Sequence, residues 1–151
     1  MEEPKIVSRP AFTVAGMEYR GKNEHNEIFQ MWNAFGPRMH TIPHVTKPHI
    51  AYGVNKSYDM STGEFEYLAG LEVDSAADMP EGVVSWDLPA QKYAVFPCTL
   101  PTIGQAFGHI CNTWLPQSGY QHAGSPEFEL YNEAFDPNDP NSVLYLYIPI
   151  K

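Results

Sequence analysis

Near its C-terminal end the chain carries "PEFELYNE" (Pro126 to Glu133), in which Glu129 stands among Phe128, Leu130 and Tyr131. Residues two apart in a strand share a face, so Glu127, Glu129 and Tyr131 lie on one side and Phe128 and Leu130 on the other. Two readings are open. Both glutamates face water, or Glu129 is set at the floor of an apolar cleft. A carboxylate in the second setting is costly unless it is hydrogen-bonded or met by a cation. Aromatic faces around one acid combine cation–π attraction with an opposite charge, which suits a lipophilic cation. The chain has the material, with nine tyrosines, eight phenylalanines and three tryptophans. Trp32, Tyr52, Tyr67, Trp114, Tyr131, Tyr145 and Tyr147 fall where they could line such a cleft, whereas Phe12, Phe35, Trp86 and Phe107 read as core. Tyrosine is the informative type, because its hydroxyl needs a partner when buried.

Other chemistries find little support. His40, His44 and His49 straddle Pro43 and Pro48 and do not share a helix face, and no cysteine or carboxylate neighbour completes a metal set. His25, His109 and His122 belong to no recognisable constellation. There is no glycine-rich phosphate loop, no nucleophile elbow and no Cys-His pairing pattern. No cofactor and no metal are expected.

The elements that must position Glu129 emerge from an internal repeat. "RPAFTVAGM" (Arg9 to Met17) aligns with "LPAQKYAVF" (Leu88 to Phe96) at an offset of 79 residues. "IFQMWNAF" aligns with "IGQAFGHI" at an offset of 75, matching Trp32 to Phe107. "PHIAYGV" aligns with "PEFELYN" at an offset of 78. The halves cover about 4–74 and 80–151, joined by the acidic turn "DSAADMPEG". Each begins with a strand, Lys5–Tyr19 and Val83–Pro97. A helix follows in each. In the first half it starts near Glu24, carries the stripe Ile28, Met31, Trp32, Phe35 and Met39, and breaks or kinks at Gly36-Pro37. In the second half Thr99 caps it, Pro101 sits in its first turn, Ile103, Ala106, Phe107, Ile110 and Trp114 form the stripe, and Pro116 ends it. Two strands close each half, with the turn-forming "DPNDPN" between the last pair. The expected fold is α+β, a tandem pseudo-twofold repeat of β-α-β-β units with antiparallel sheet and one main helix per half. A cleft where the halves meet is the natural ligand site.

Composition bounds the partners. The 151 residues make one domain, and nine basic against eighteen acidic residues give a formal charge of −9. That balance argues against a nucleic-acid surface, since such binding rests on Lys and Arg neutralising phosphates. No apolar run is long enough to span a bilayer, and the charged start "MEEPKIVSRP" lacks a secretory h-region. Two cysteines, Cys98 and Cys111, are expected as free thiols in a cytoplasmic protein.

The doubled order, together with "LPAQKYAVF", "EYLAGLEV", "PEFELYNEAFDPNDP" and the terminal "LYLYIPIK", resembles the GyrI-like small-molecule-binding domain. This is the effector-binding domain also fused to AraC-type and MerR-type multidrug-responsive regulators, and the similarity covers essentially the whole chain. The resemblance implies a central cleft for hydrophobic, often cationic, compounds, with Glu129 as the acid at its floor and Tyr67 and Trp32 in its lining. Tyr52, Trp114, Tyr131 and Tyr145 match only an aromatic tendency. Glu127, nearer the strand's start, is left to solvent. The chain reads as a free-standing binding module without its own DNA-binding domain.

Three functions follow as expectations. The first is a stand-alone binder of small hydrophobic, cationic compounds. The second is a hydrolase of cyclopropane-containing or similar electrophiles, with Glu129 activating water and Tyr67 assisting proton transfer. The third, and weakest, is a module that protects DNA gyrase by a protein contact.

Overall fold

The computed structural model describes residues 3–151. Eight strands form one antiparallel sheet: β1 Lys5–Arg9, β2 Phe12–Gly21, β3 Ala51–Lys56, β4 Phe65–Val73, β5 Val84–Leu88, β6 Gln91–Thr99, β7 Glu127–Tyr131 and β8 Val143–Ile150. Helix α1 (Glu27–Phe35) lies between β2 and β3, and α2 (Ile103–His109) and α3 (Leu115–Ser118) lie between β6 and β7. The fold is α+β with an antiparallel sheet, as expected from the repeat.

The strand expected over Lys5–Tyr19 is two strands, and so is its counterpart over Val83–Pro97. Pro10 and Pro89 fall at the breaks. Proline lacks the N–H that a central ladder position requires, so the chain bends there and each piece finds a different partner. The strand order is β1-β6-β8-β7-β3-β4-β2-β5. Exchanging each strand for its equivalent in the other half reverses this order and leaves it unchanged, which is the signature of the pseudo-twofold. The axis passes through the Tyr52–Leu130 cross-strand pair, residues that differ by the same 78 positions as the aligned segments. Each half therefore lends its first short strand to the other: β1 pairs with β6, and β5 with β2.

This exchange forces the sheet to curl. β1 and β2 stand six places apart in the order, ~29 Å in a flat sheet at normal strand spacing. Only Pro10 and Ala11 join them, and that linker reaches about 11 Å at most. The sheet consequently bends until its ends approach. Its inner face packs on itself through Val14, Tyr52, Val54, Leu68, Tyr93 and Phe128. The outer face carries the helices. α1 covers Ala15, Tyr67, Ala69 and Leu71, and α2 covers Ala94, Phe96, Leu144 and Leu146.

Helix boundaries follow local chemistry. α1 starts at Glu27, later than Glu24, because Asn23 and Asn26 adopt left-handed backbone angles and hold the chain out of the helix. The Asn23 side chain then accepts the Ile28 N–H at 3.1 Å. Gly36-Pro37 ends the α-helix as expected, and the chain continues as a 3-10 turn through Thr41. Ahead of α2 the Thr102 hydroxyl accepts the Thr99 N–H at 3.1 Å, with Pro101 in the intervening 3-10 turn. Pro116 does not end the second-half helix. A π-helical segment, Ile110–Trp114, intervenes, and Pro116 sits in the first turn of α3, where its missing N–H is tolerated.

Inside the curl, the Arg9 guanidinium lies 4.1 Å from the Phe12 ring centre and within cation–π reach of Tyr52, Phe128 and Tyr147. Its Nη2 donates to Glu72 Oε1 at 3.2 Å, and that oxygen also accepts the Tyr52 hydroxyl at 3.0 Å. The edge strand β1 is thus fastened to the inner aromatic face by one charged side chain.

Candidate functional site

Glu129 projects from β7 toward the helix-covered face, one residue from the twofold axis. Only 8% of it is exposed. Its Oε1 accepts the Tyr131 hydroxyl at 2.5 Å and the Tyr67 hydroxyl at 3.1 Å, and Oε2 faces the Asn55 amide at 3.5 Å. Tyr67 in turn accepts the Trp32 indole N–H at 2.9 Å. Trp32 stands edge-on to both tyrosines, its ring centre 5.6 Å from Tyr131 and 6.5 Å from Tyr67. Four residues from four elements, α1, β4, β7 and β3, therefore converge on one carboxylate. Among the described residues no Lys, Arg or His forms an ion pair with it.

The electrostatics follow from that enclosure. Burial pushes the Glu129 carboxyl above its ordinary value, and the hydrogen bonds from Tyr131, Tyr67 and Asn55 oppose the shift without cancelling it. Burial also drives the Tyr67 and Tyr131 hydroxyls well above the usual tyrosine range, and the neighbouring Glu129 charge adds to it. Both remain protonated donors. Burial, with a contribution from Glu129, raises the Cys98 thiol to about 11, so this cysteine is an inert core group.

The small residue that makes the convergence possible is Gly53, directly opposite Glu129 across the β3–β7 ladder. A Cβ there would lie 2.1 Å from the Tyr67 hydroxyl oxygen and 2.9 Å from Glu129 Oε1. The repeat is broken at this point on purpose of space: the 78-residue offset equates Gly53 with Tyr131 and Ala51 with Glu129, so the acid and its tyrosine occur on one side of the axis only.

A pocket of about 660 Å³ opens onto Glu129. Asn55, Ser57, Tyr58 and Phe65 line it from the first half, and Phe107, His122, Ser125, Pro126 and Glu127 from the second. It lies between the halves, as expected from the repeat. Trp32, Tyr67 and Tyr131 hold the carboxylate without themselves lining this pocket.

The remaining candidates sit elsewhere. Tyr52 and Tyr145 lie opposite Leu130, on the inner face of the sheet, and Tyr147 stacks on Phe128 at 4.5 Å on that same face. Strand alternation points all three away from Glu129. Trp114, half-buried, packs against Phe96 at 5.1 Å and stacks with Tyr120, on the edge of the core that α2 covers. Conversely, Phe107 is a pocket residue and not simple core, and Glu127, expected in solvent, is half-buried in the pocket wall. Asn55 carried no signal of its own. Its alternation with Gly53 on β3 could have placed it on the Glu129 face.

The profile of the Cass2 family, described as integron-associated effector binding protein, matches residues 5–150. The chain belongs to this effector-binding family. The transcriptional regulator BrlR of Pseudomonas aeruginosa is 43% identical over 149 residues, which is 97% of this chain and 54% of the regulator. The effector-binding chain thus spans about half the length of the curated relative it matches. Among solved structures, SAV2435 bound to tetraphenylphosphonium superposes with a TM-score of 0.76 at 17% identity, covering 99% of this chain and 94% of that one. The integron cassette protein from the mobile metagenome of Vibrio cholerae superposes with a TM-score of 0.63 at 19% identity, covering 99% and 97%. At such identities the likeness establishes a common fold. The family makes the chain a small-molecule effector-binding domain.

Proposed function

We propose that this domain binds lipophilic organic cations in the pocket that ends at Glu129. One observation carries the reading: a carboxylate 8% exposed is held by neutral donors alone, without a counter-charge among the described residues. Burying an uncompensated charge is costly, and a cationic ligand is the partner that removes the cost. Phe107, Tyr58 and Phe65 offer the apolar and π surface that such a ligand needs. That SAV2435 shares the fold and has been solved with tetraphenylphosphonium supports the choice of ligand class.

A hydrolytic role for the same residues is less well supported. Tyr67 and Tyr131 both donate to Glu129 and are driven well above the ordinary tyrosine range, which suits holding a carboxylate more than exchanging protons at neutral pH. Titration with tetraphenylphosphonium, followed by calorimetry and by tryptophan fluorescence, tests the binding reading. Saturable one-to-one binding that a neutral aromatic of equal size does not reproduce is the expected result. Equal affinity for both would leave the carboxylate without a role.

A further inference from the structure

The same pocket contains a second acid that binding at Glu129 does not use. Glu127 lies two residues earlier on β7, on the same face, and both carboxylates line the pocket. Its side chain keeps 28% of its exposure, placing it toward the mouth while Glu129 lies at the floor. The only hydrogen-bond partner of the Glu127 side chain among the described residues is His122 Nε2, at 3.3 Å from Oε2. The Gly124 N–H donates to His122 Nδ1 at 3.0 Å, so Nδ1 carries no proton and the ring is the neutral tautomer that donates from Nε2. The other carboxylate oxygen of Glu127, Oε1, has no hydrogen-bond partner among the described residues and is free to meet a ligand. The one lysine in the lining, Lys56, does not neutralise it. Its Nζ is held over the Trp86 ring, 4.1 Å from the centre, on the inner side of the sheet.

We propose that the pocket is built for a dication, with one positive centre at Glu129 and the second at Glu127. This rests on the cation-binding reading above and specifies its ligand class. Two strand residues advance ~6.7 Å, so the two carboxylates suit a rigid, flat, aromatic ligand whose charged nitrogens are about 7 Å apart. Phe107 and Tyr58, in the wall of the same pocket, supply faces against which such a ring system stacks. The inner centre exchanges water for aromatic rings and a buried acid. The outer one stays near the opening, where Glu127 and His122 meet it.

The test compares two near-isosteric probes by calorimetry on the full chain: the dication 1,1′-dimethyl-4,4′-bipyridinium and the monocation N-methyl-4-phenylpyridinium. The parent should prefer the dication about tenfold, the ratio expected of one added charge pair of moderate exposure. In Glu127→Gln that ratio should fall to about one, and in Glu127→Lys it should invert. Circular dichroism and thermal melting establish that both variants are folded. Failure of both probes to bind the parent would strike the cation-binding reading itself. Monocation binding with no dication preference, or a preference that survives in Glu127→Gln, would overturn only the second anchor. A dication that binds where the monocation does not is the same preference in its extreme form.

Discussion

Replacing Glu129 with glutamine isolates the charge from everything else at the pocket floor. The amide is isosteric, and its Oε1 can still accept from the Tyr67 and Tyr131 hydroxyls at 3.1 and 2.5 Å. Its Nε2 replaces the oxygen that faces Asn55, whose own amide can rotate to present an oxygen. Packing is thus retained and only the attraction for a cation is lost. At ~4 Å, with an effective dielectric of ~20, a unit charge pair gains about 4 kcal/mol, and desolvation of both partners returns part of it. A net loss of about 2–3 kcal/mol corresponds to roughly 30- to 150-fold weaker binding. The assay is paired calorimetric titration of N-methyl-4-phenylpyridinium and its neutral isostere 4-methylbiphenyl, against parent and Glu129→Gln. The cation should lose that affinity and the neutral compound should not. Because burial holds the carboxyl above its ordinary value, cation binding must also favour ionisation and release protons at mildly acidic pH. The observed enthalpy should then depend on the buffer's ionisation enthalpy in the parent and not in the variant. If the variant binds the cation as tightly as the parent, or loses both compounds equally, the electrostatic reasoning is refuted.

Other consequences are equally direct. Since the folded state raises the Glu129 carboxyl, it holds its proton more firmly than the unfolded chain; the stability this gives is complete below about pH 4.5 and is lost as pH rises through the folded value. Glu129→Gln should therefore melt higher than the parent at pH 7, with the gap narrowing toward pH 4, and a gap that widens on acidification would contradict the assignment. Gly53→Ala places a Cβ against the Tyr67 hydroxyl and should cost about 1–3 kcal/mol in urea unfolding while abolishing tight cation binding; wild-type affinity would show that the tyrosine need not sit there. Arg9→Met removes the guanidinium from the inner aromatic surface and leaves Glu72 with the more exposed Lys47 Nζ, 3.6 Å away, as its cationic partner, and should cost about 2 kcal/mol. Adding Glu72→Leu should recover much of that loss, and a double variant weaker than the single one would show the pair matters for more than charge balance.

Much of this arrangement is legible in the sequence. The 78-residue offset between "PHIAYGV" and "PEFELYN" is the very offset that the twofold axis obeys at Tyr52 and Leu130. Periodicity placed Glu129 and Tyr131 on one face, and the α1 stripe carried Trp32 toward that face. What could not be read was cross-strand register. Tyr52 and Tyr145 look like cleft residues until their pairing with Leu130 shows them on the opposite surface. Pro10 and Pro89 each split a long strand in two, and the exchange of β1 and β5 between the halves depends on which partners the pieces then find, which the sequence does not encode locally. Trp114 continues the stripe of α2 in sequence and, through the π-helical segment, packs with it on the core at Phe96, away from the pocket. Glu127 and Phe107 were misplaced for a related reason. The segment that turns them into pocket walls, His122 to Pro126, has no periodicity to read.

The traded strands have a mechanical consequence. Because β1 of the first half is laced into the second half's sheet and β5 into the first, the two halves are mutually clasped at both ends as well as joined at the axis. Pulling them apart would break three ladders at once. They cannot swing open like jaws to admit a guest. Entry must instead come from small rearrangements of what lies over the rigid floor: the rings of Phe107 and Tyr58, and the loop from His122 to Pro126. A domain of this construction yields to a guest at its lid while its floor stays still.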